Sequence, residues 1–555
     1  MKTKTITQSL AWLHTWGGLI FGWILFAIFL TGTLAVFDKE IDSWMRPEIP
    51  AHTLTPSEAA QRALDYLHAQ QPNASSWNIG LPTERSPGLT VSSGEQRRGG
   101  GVNLDPESGV PLDVRETAGG GFFFRFHFTL DLPRNIGIWV VGLAAMGMLV
   151  ALISGIVIHK KFFKDFFTFR PAKGQRSWLD AHNATGVLVL PFHRMITYTG
   201  LVIFYLIYMP GAMDALFDGD RDAASRALRG APSEQHGEAR PPAVGGQPKE
   251  QQPRAGAEHI HAPGNQGIAT AGERRDGSAP GRGETRRPAS ETIPLTAIGP
   301  LLAEAERVMG PVSGLSIKNP GRSDARIEAR PLLGNRIELS KGVSMVFDGV
   351  TGKVLRLPPE SRPSLLTQKV MSGLHFAQFG GYPMRWLYFL CGLASCAMLA
   401  TGVVLFTVKR RRRHDNEGVI GAMLYHAAER INVAVVAGLA MASIALLWAN
   451  RLLPLQWATR DQWEVRVFFL VWLASLGHAI VRPRLAAWRE QLGLAALMCL
   501  SLPLLNLIFV NRGDGLYLEL TLVVIGALLA WAAWQTGQPA RQPIPRKSSK
   551  TLEQH

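Results

Sequence analysis

Residues 181–200 read AHNATGVLVLPFHRMITYTG, and residues 13–32 read LHTWGGLIFGWILFAIFLTG. In both, a histidine (His182, His14) stands four positions before a glycine (Gly186, Gly18), and a Thr-Gly pair follows (Thr199-Gly200, Thr31-Gly32), the threonine 17 positions beyond its histidine in each copy. Residues four apart share a helix face, so each glycine opens a shelf one turn from its histidine, where a flat ligand can lie. The second glycine is 18 residues on, five whole turns, and falls on the same stripe. A lone copy would read as a polar residue at a membrane boundary beside packing glycines. Two matched copies in apolar helices predict equivalent spans whose histidines are axial ligands to haem.

The rest of the chain fits a membrane setting. Of 555 residues, 46% are hydrophobic, and the excess gathers in runs near the ~20 residues needed to cross a bilayer. Eight spans are predicted, at 10–37, 136–158, 182–209, 384–408, 424–448, 464–481, 490–510 and 515–534. The first is too long for a cleaved signal, and no small-residue cleavage site precedes Asp38. The net charge of +15 suggests nucleic acid at first sight, but the basic residues sit at span ends: Lys2 and Lys4, His159 to Lys161, Lys409 to Arg413, Arg482 and Arg484, Arg541 and Arg546. They recur after every second span, which by the positive-inside rule puts both termini in the cytoplasm and argues against nucleic acid. Cys391, Cys396 and Cys499 all lie in predicted spans, so no disulfide framework holds the exported segments.

Those segments are residues 38–135 and 210–383. The first opens with a helix from Pro56, Ser57 its expected N-cap, and continues as short strands broken at Ser93-Gly94 and Asp105–Gly109. The second repeats the plan, with a helix from Leu295 to Met309, strands near Arg326–Ala329, Arg336–Leu339 and Val343–Phe347, and a matching turn at Asp348–Gly352. Residues 219–291 are rich in Gly, Pro, Arg and Gln and are expected to be a disordered insertion, with His236, His259 and His261 as solvated linker residues. A histidine also precedes each even-numbered span of this half, His127 in FRFHFTLDLPRNIGIW (124–139) and His375 in GLHFAQFGGYPMRWLY (373–388), and Ser154-Gly155 and Thr401-Gly402 close those spans.

The fold class expected is therefore an α-helical integral membrane protein of about eight spans, with a duplicated span, α+β domain, span unit and two small periplasmic α+β domains. Its boundaries are 1–37 (span 1), 38–135 (first domain), 136–158 (span 2), 159–181 (cytoplasmic loop), 182–209 (span 3), 210–383 (second domain), 384–408 (span 4), 409–423 (basic loop), 424–534 (spans 5–8) and 535–555 (tail).

With its LH-x-x-x-G and LH-x-x-x-x-G histidines and aspartate-turn-glycine signals, the chain over residues 1–412 resembles the PepSY-associated transmembrane family, in particular FoxB-type siderophore-iron reductases of the bacterial inner membrane. That resemblance implies PepSY-like periplasmic domains, b-type haem in the membrane and delivery of electrons to a ferric siderophore outside it.

If the two repeats face each other about a pseudo-twofold axis, His14 pairs with His182 at the cytoplasmic ends, and His127 with His375 at the periplasmic ends, giving two bis-histidine haems. On a continuous helix His193 lies about 16 Å along from His182 and only about 20° round, so it is a further candidate ligand, although its repeat equivalent, Leu25, offers it no partner. Arg194, Arg385 and Lys160 are candidates for the haem propionates, as is His159, which otherwise reads as an interfacial residue. The chelate would dock at the periplasmic opening by Phe122–Phe128, residues equally suited to interface packing. His426, Glu429, Arg430 and His478 suit a quinone pocket or a third metal site, or more simply helix-end pairing. No G-x-G-x-x-G follows a strand, so electrons must come from a quinol or a separate reductase. Outer-sphere transfer needs no catalytic acid, base or nucleophile. Two rival classes are a partner-binding or peptidase-regulating protein, and a transporter; neither needs paired histidines.

Overall fold

The structure, a computed structural model, describes residues 5–50, 54–94, 101–159, 170, 174–208, 293–334, 336–339, 342–359, 361, 363–411, 418–510 and 515–538. The insertion expected at 219–291, with His236, His259 and His261, and Lys160 lie outside the described residues.

Among the described residues seven helices are long and apolar enough to cross a membrane, and a bent pair brings the number to eight if it is counted as one span. The seven are α1 (Ile6–Ala35), α5 (Arg134–Ile158), α11 (Gly381–Arg410), α12 (Gly418–Leu452, with a π-helical turn at Ala434–Gly438), α13 (Arg460–Val481), α14 (Arg484–Phe509) and α15 (Leu516–Gly537). The bent pair is α6 (Gln175–Leu188) and α7 (Leu190–Ile203), which meet at 65°; a short α8 (Tyr205–Tyr208) follows. The sequence predicts one continuous span over 182–209. The break corrects this, and Pro191 explains it, having no N–H for the Val187 carbonyl and a ring that crowds the preceding turn.

Two short helices lead into spans: α4 (Gly121–Thr129) before α5, and α10 (Pro363–Phe376) before α11. Left-handed residues end each, Leu130 and Asp131 after α4 and Ala377 after α10, so the chain reverses sharply into the next span. A further helix, α2 (Asp38–Met45), follows α1.

Segments 38–135 and 210–383 each contribute a helix and four strands to the sheet region. From the first come α3 (Pro56–Gln70), β1 (Ser76–Gly80), β2 (Leu89–Ser93), β3 (Val102–Leu104) and β4 (Pro111–Leu112). From the second come α9 (Ile298–Met309), β5 (Val312–Lys318), β6 (Arg326–Pro331), β7 (Met345–Asp348) and β8 (Val354–Arg356). They form not two sheets but one antiparallel sheet in the order β4-β3-β2-β1-β5-β6-β7-β8, joined at its centre by β1 and β5 with Ile79 opposite Leu315. Trp77, Ile79, Leu315 and Ile317 face α3 and α9 in one apolar core, while the alternate residues Asn78 and Ser316 turn to the other side, as the period of two requires.

Local details also differ from the sequence reading. Thr55, not Ser57, caps α3, in a capping box with Glu58. Arg336–Leu339 is not a strand: Gly334, at φ +107°, turns the chain, and the Leu339 N–H bonds to the Lys369 carbonyl of α10. The two aspartate turns do correspond. Asp105 accepts from Glu107 N, Asp348 from Val350 N and Thr351 N, and Gly109 and Gly352 close them at φ +72° and +74°. In the second, these bonds, the Thr351 N–H first among them, hold the Asp348 carboxyl below the usual carboxylate range.

Candidate functional site

Four histidines meet in two pairs. His14 of α1 faces His182 of α6 with ring centres 6.3 Å apart, and His127 of α4 faces His375 of α10 at 5.9 Å. Two imidazoles on one metal, through bonds of about 2 Å, have ring centres roughly 6 Å apart.

All four rings are held alike. Nδ1 donates to a main-chain carbonyl on a neighbouring helix: His14 to Ala151 (3.0 Å), His182 to Met398 (2.9 Å), His127 to Ile28 (2.8 Å) and His375 to Ile196 (3.0 Å). Each acceptor stands three residues before a hydroxyl residue that bonds the same carbonyl, namely Ser154, Thr401, Thr31 and Thr199. The following residue is glycine every time. A methyl group on Gly155, Gly402, Gly32 or Gly200 would come 3.2, 3.0, 2.5 or 2.9 Å from the ring of His14, His182, His127 or His375 respectively. The Ser/Thr-Gly pair is thus a socket, in which the glycine admits the imidazole and the carbonyl shared with the hydroxyl fixes it.

This corrects the role expected for Gly32 and Gly200. Gly32 lies on the same helix as His14, and Gly200 beyond the break from His182, and both clear space for the other pair. The open shelf predicted beside His14 does exist, since nothing lies within 4 Å of a methyl built on Gly18, whereas one on Gly186 would meet Met398 Sδ at 3.4 Å.

With Nδ1 donating, each imidazole is the tautomer whose Nε2 carries the lone pair. Among the described residues no hydrogen bond reaches any of these four Nε2 atoms, and packing seals none of them. Ligand histidines in metal sites are characteristically held this way by the other ring nitrogen. The residues present therefore fit an axially ligated haem at each pair.

His193 is placed differently. It is fully buried, and its Nε2 bonds Ser395 Oγ at 2.9 Å. That hydroxyl spends its own hydrogen on the Cys391 carbonyl, so it accepts from His193. Nδ1, beside the Gly186 carbonyl, makes no hydrogen bond of normal geometry, and the ring packs edge-on to Phe29 at 6.2 Å. The 65° bend lies between His193 and His182, and among the described residues no ring contact joins His193 to a second histidine. His159 bonds Asn183 at 3.0 Å, Arg385 donates to the Val36 carbonyl at 3.3 Å, and Arg194 is exposed.

The phenylalanines divide into two sets. Phe122, Phe123 and Phe126 are buried, with Phe122 and Phe126 packed on Phe468 of α13 at 4.9 and 5.5 Å, while Phe124 and Phe128 turn toward Phe376 and Phe204. Spans 5–8 therefore buttress the helix that carries His127. A polar knot strengthens the buttress. Glu464 of α13 accepts from Thr117 Oγ1 (2.6 Å), Ala118 N (2.9 Å), Asn450 Nδ2 (2.8 Å) and Arg460 (2.6 Å), and Arg460, Glu464 and Asn450 have no exposed surface. Thr117 and Ala118 lead directly into α4. The sequence reading missed this group, although an Arg and a Glu four apart at the head of an apolar helix, ten residues after Asn450, were a visible signal.

Near the other end of these spans, Tyr425 and Arg484 bond Glu429, and His478 bonds Glu490 at 2.9 Å. These are the helix-end pairings of the simpler reading, and no cluster of metal-binding side chains occurs among the described residues. The three cysteines are free.

Beneath the polar face of the sheet lies a cavity of about 1350 Å³ whose lining includes Asn78, Ser316, Arg85, Arg330, Gln378 and Arg385. Gln378 is three residues from His375, so the cavity reaches the neighbourhood of the second pair.

The sockets yield a stability prediction. Gly32→Ala is expected to push the His127 ring off the Ile28 carbonyl and destabilise the fold by about 1–3 kcal/mol, the usual cost of overpacking. Gly477→Ala, with nothing within 4 Å, should not destabilise it. Thermal unfolding in detergent compares the two; equal midpoints would refute the socket.

The chain is 25% identical over 423 residues to the uncharacterised Pseudomonas aeruginosa protein PA4219, an alignment spanning 73% of this chain and 92% of that one. Residues 11–409, which carry all four paired histidines and the whole sheet, match the PepSY-associated TM region. The chain is a multi-pass membrane protein of the PepSY-associated TM family.

Proposed function

We propose that this protein is an inner-membrane b-type haem reductase that passes electrons across the bilayer to siderophore-bound ferric iron, both its termini lying in the cytoplasm. His14 and His182 would hold one haem, His127 and His375 the other. The observation that carries the reading is the uniform setting of the four histidines, each with Nδ1 fixed on a carbonyl and Nε2 left for a ligand. Haem, if bound there, would supply one-electron chemistry, and holding it by two histidines would favour electron passage over oxygen binding.

The chain's own part is to position. The Ser/Thr-Gly sockets fix the imidazoles, and the buttress of spans 5–8 holds α4 in place. The cavity under the sheet suits the substrate: its guanidinium groups attract an anionic chelate, and its volume exceeds the ~300–1,000 Å³ of ordinary small-molecule sites. A quinol or a separate reductase would be the donor.

The test is anaerobic mixing of the dithionite-reduced, desalted protein with an anionic ferric siderophore such as ferric aerobactin in the presence of a ferrous-iron dye. Reoxidation of the haem bands matched by ferrous dye complex is the expected result. A reduced protein that keeps its electrons in the presence of the chelate would overturn the reading.

A further inference from the structure

A second, apolar cleft of about 970 Å³ runs down between α1, α11, α12 and α15, lined by side chains such as Leu34, Phe389, Ala440, Leu518 and Leu522. It meets the polar cavity under the sheet, because Glu84 and Tyr382 line both. We infer that the two form one binding site for an anionic membrane phospholipid, its acyl chain in the cleft and its head group among the cations at the cavity rim. The inference stands independently of the reductase reading.

Three observations select this occupant. The first is depth. Along α15 the cleft extends from Tyr517 to Ala532, fifteen residues and hence about 22 Å, which is deeper than half of a hydrocarbon core about 30 Å thick and long enough to take a whole acyl chain. The second is position, since the walls are membrane-spanning helices and the polar mouth lies at their sheet-facing end, where a phospholipid of that leaflet carries its head.

The third is charge. Arg385, at the mouth, is only 5% exposed. Its hydrogen bond is to the Val36 carbonyl, and among the described residues no carboxylate lies within ion-pair distance of it. The neighbouring acids are already engaged: Glu40 and Asp38 both pair with Arg85. Glu40 and Asp38 act on Arg385 only from beyond ion-pair distance and are shared with Arg85, so the buried guanidinium is incompletely compensated, and a phosphate is the group its planar fork matches best. The cavity is large enough to receive a head group at its rim and still admit a second ligand.

The experiment is native mass spectrometry of the full chain released from nanodiscs made of equal parts phosphatidylglycerol and phosphatidylcholine, with haem content recorded in parallel. Wild-type protein is expected to retain one phosphatidylglycerol, preferred roughly fivefold over phosphatidylcholine, as one arginine near an anionic head implies. Arg385→Gln should remove the preference while leaving one lipid bound. Ala440→Trp, which fills the cleft, should remove the lipid itself, with Leu522→Trp as a second filling variant should the first fail to fold. Equal retention of the two lipids by wild type, unchanged retention in a folded cleft variant, or a prenylquinone in place of the phospholipid would each overturn the inference, whatever the haem content.

Discussion

His127→Ala or His375→Ala is expected to halve the haem bound per chain, and His14→Ala or His182→Ala to halve it likewise, each change sparing the pair it does not touch. Each imidazole is one of two that face each other at about 6 Å, and each is fixed by its own carbonyl on its own neighbouring helix. Removing one leaves its partner oriented but alone, and nothing among the described side chains stands ready to replace it. The pairs share no socket, so the losses should be independent, and His14→Ala/His127→Ala should bind none. His193→Leu is the internal control. Its Nε2 is committed to Ser395, so haem content should be unchanged, although losing that bond in a buried site costs about 1–3 kcal/mol. Pyridine haemochrome assays on the purified variants read all of these. A His193→Leu protein short of one haem would reassign the second site.

The largest expected loss of stability comes from Glu464→Ala, about 3–5 kcal/mol, as for breaking a buried ion pair from one side. Four donors converge on this carboxylate, and deleting it strands the Arg460 guanidinium with no solvent to turn to. Glu464→Gln should cost less, because an amide oxygen still accepts from Thr117 or Ala118. Replacing Arg460 and Glu464 together by Met and Leu should recover much of the loss, since no charge is left unpaired. As Glu464 anchors the two residues entering α4, the single variant should also loosen His127, which a shift in the spectrum of its pair would report. Denaturant unfolding in micelles gives the energies; a loss under about 1 kcal/mol would mean that the knot does not support the fold.

The features legible in the sequence were those written into spacing along one helix. The repeated histidines, the Ser/Thr-Gly pairs and the two aspartate turns could be found by counting, and an assumed twofold axis was enough to bring the correct histidines together. What lay between helices could not be counted. Gly32 and His127 are far apart in sequence, and only packing shows that the glycine of one makes room for the ring of the other. The single sheet escaped for the same reason, because β1 and β5 each read as an ordinary strand and their junction is long-range. The expected position of His193 relative to His182 rests on treating 182–209 as unbroken, whereas the Leu190-Pro191 step marks a break between them. For spans 5–8 the Arg460/Glu464 spacing was a visible signal of a buried pair, but that Thr117 and Ala118 join it is a long-range contact that spacing along one helix does not show.

The central claim is that the two histidine pairs hold haem. Its most direct test is a dithionite-reduced minus oxidised absorption spectrum of the detergent-purified protein, with haem and protein quantified on the same sample. The account predicts sharp b-type bands and about two haems per chain. A folded, monodisperse protein that binds no haem when supplied with it would contradict the account.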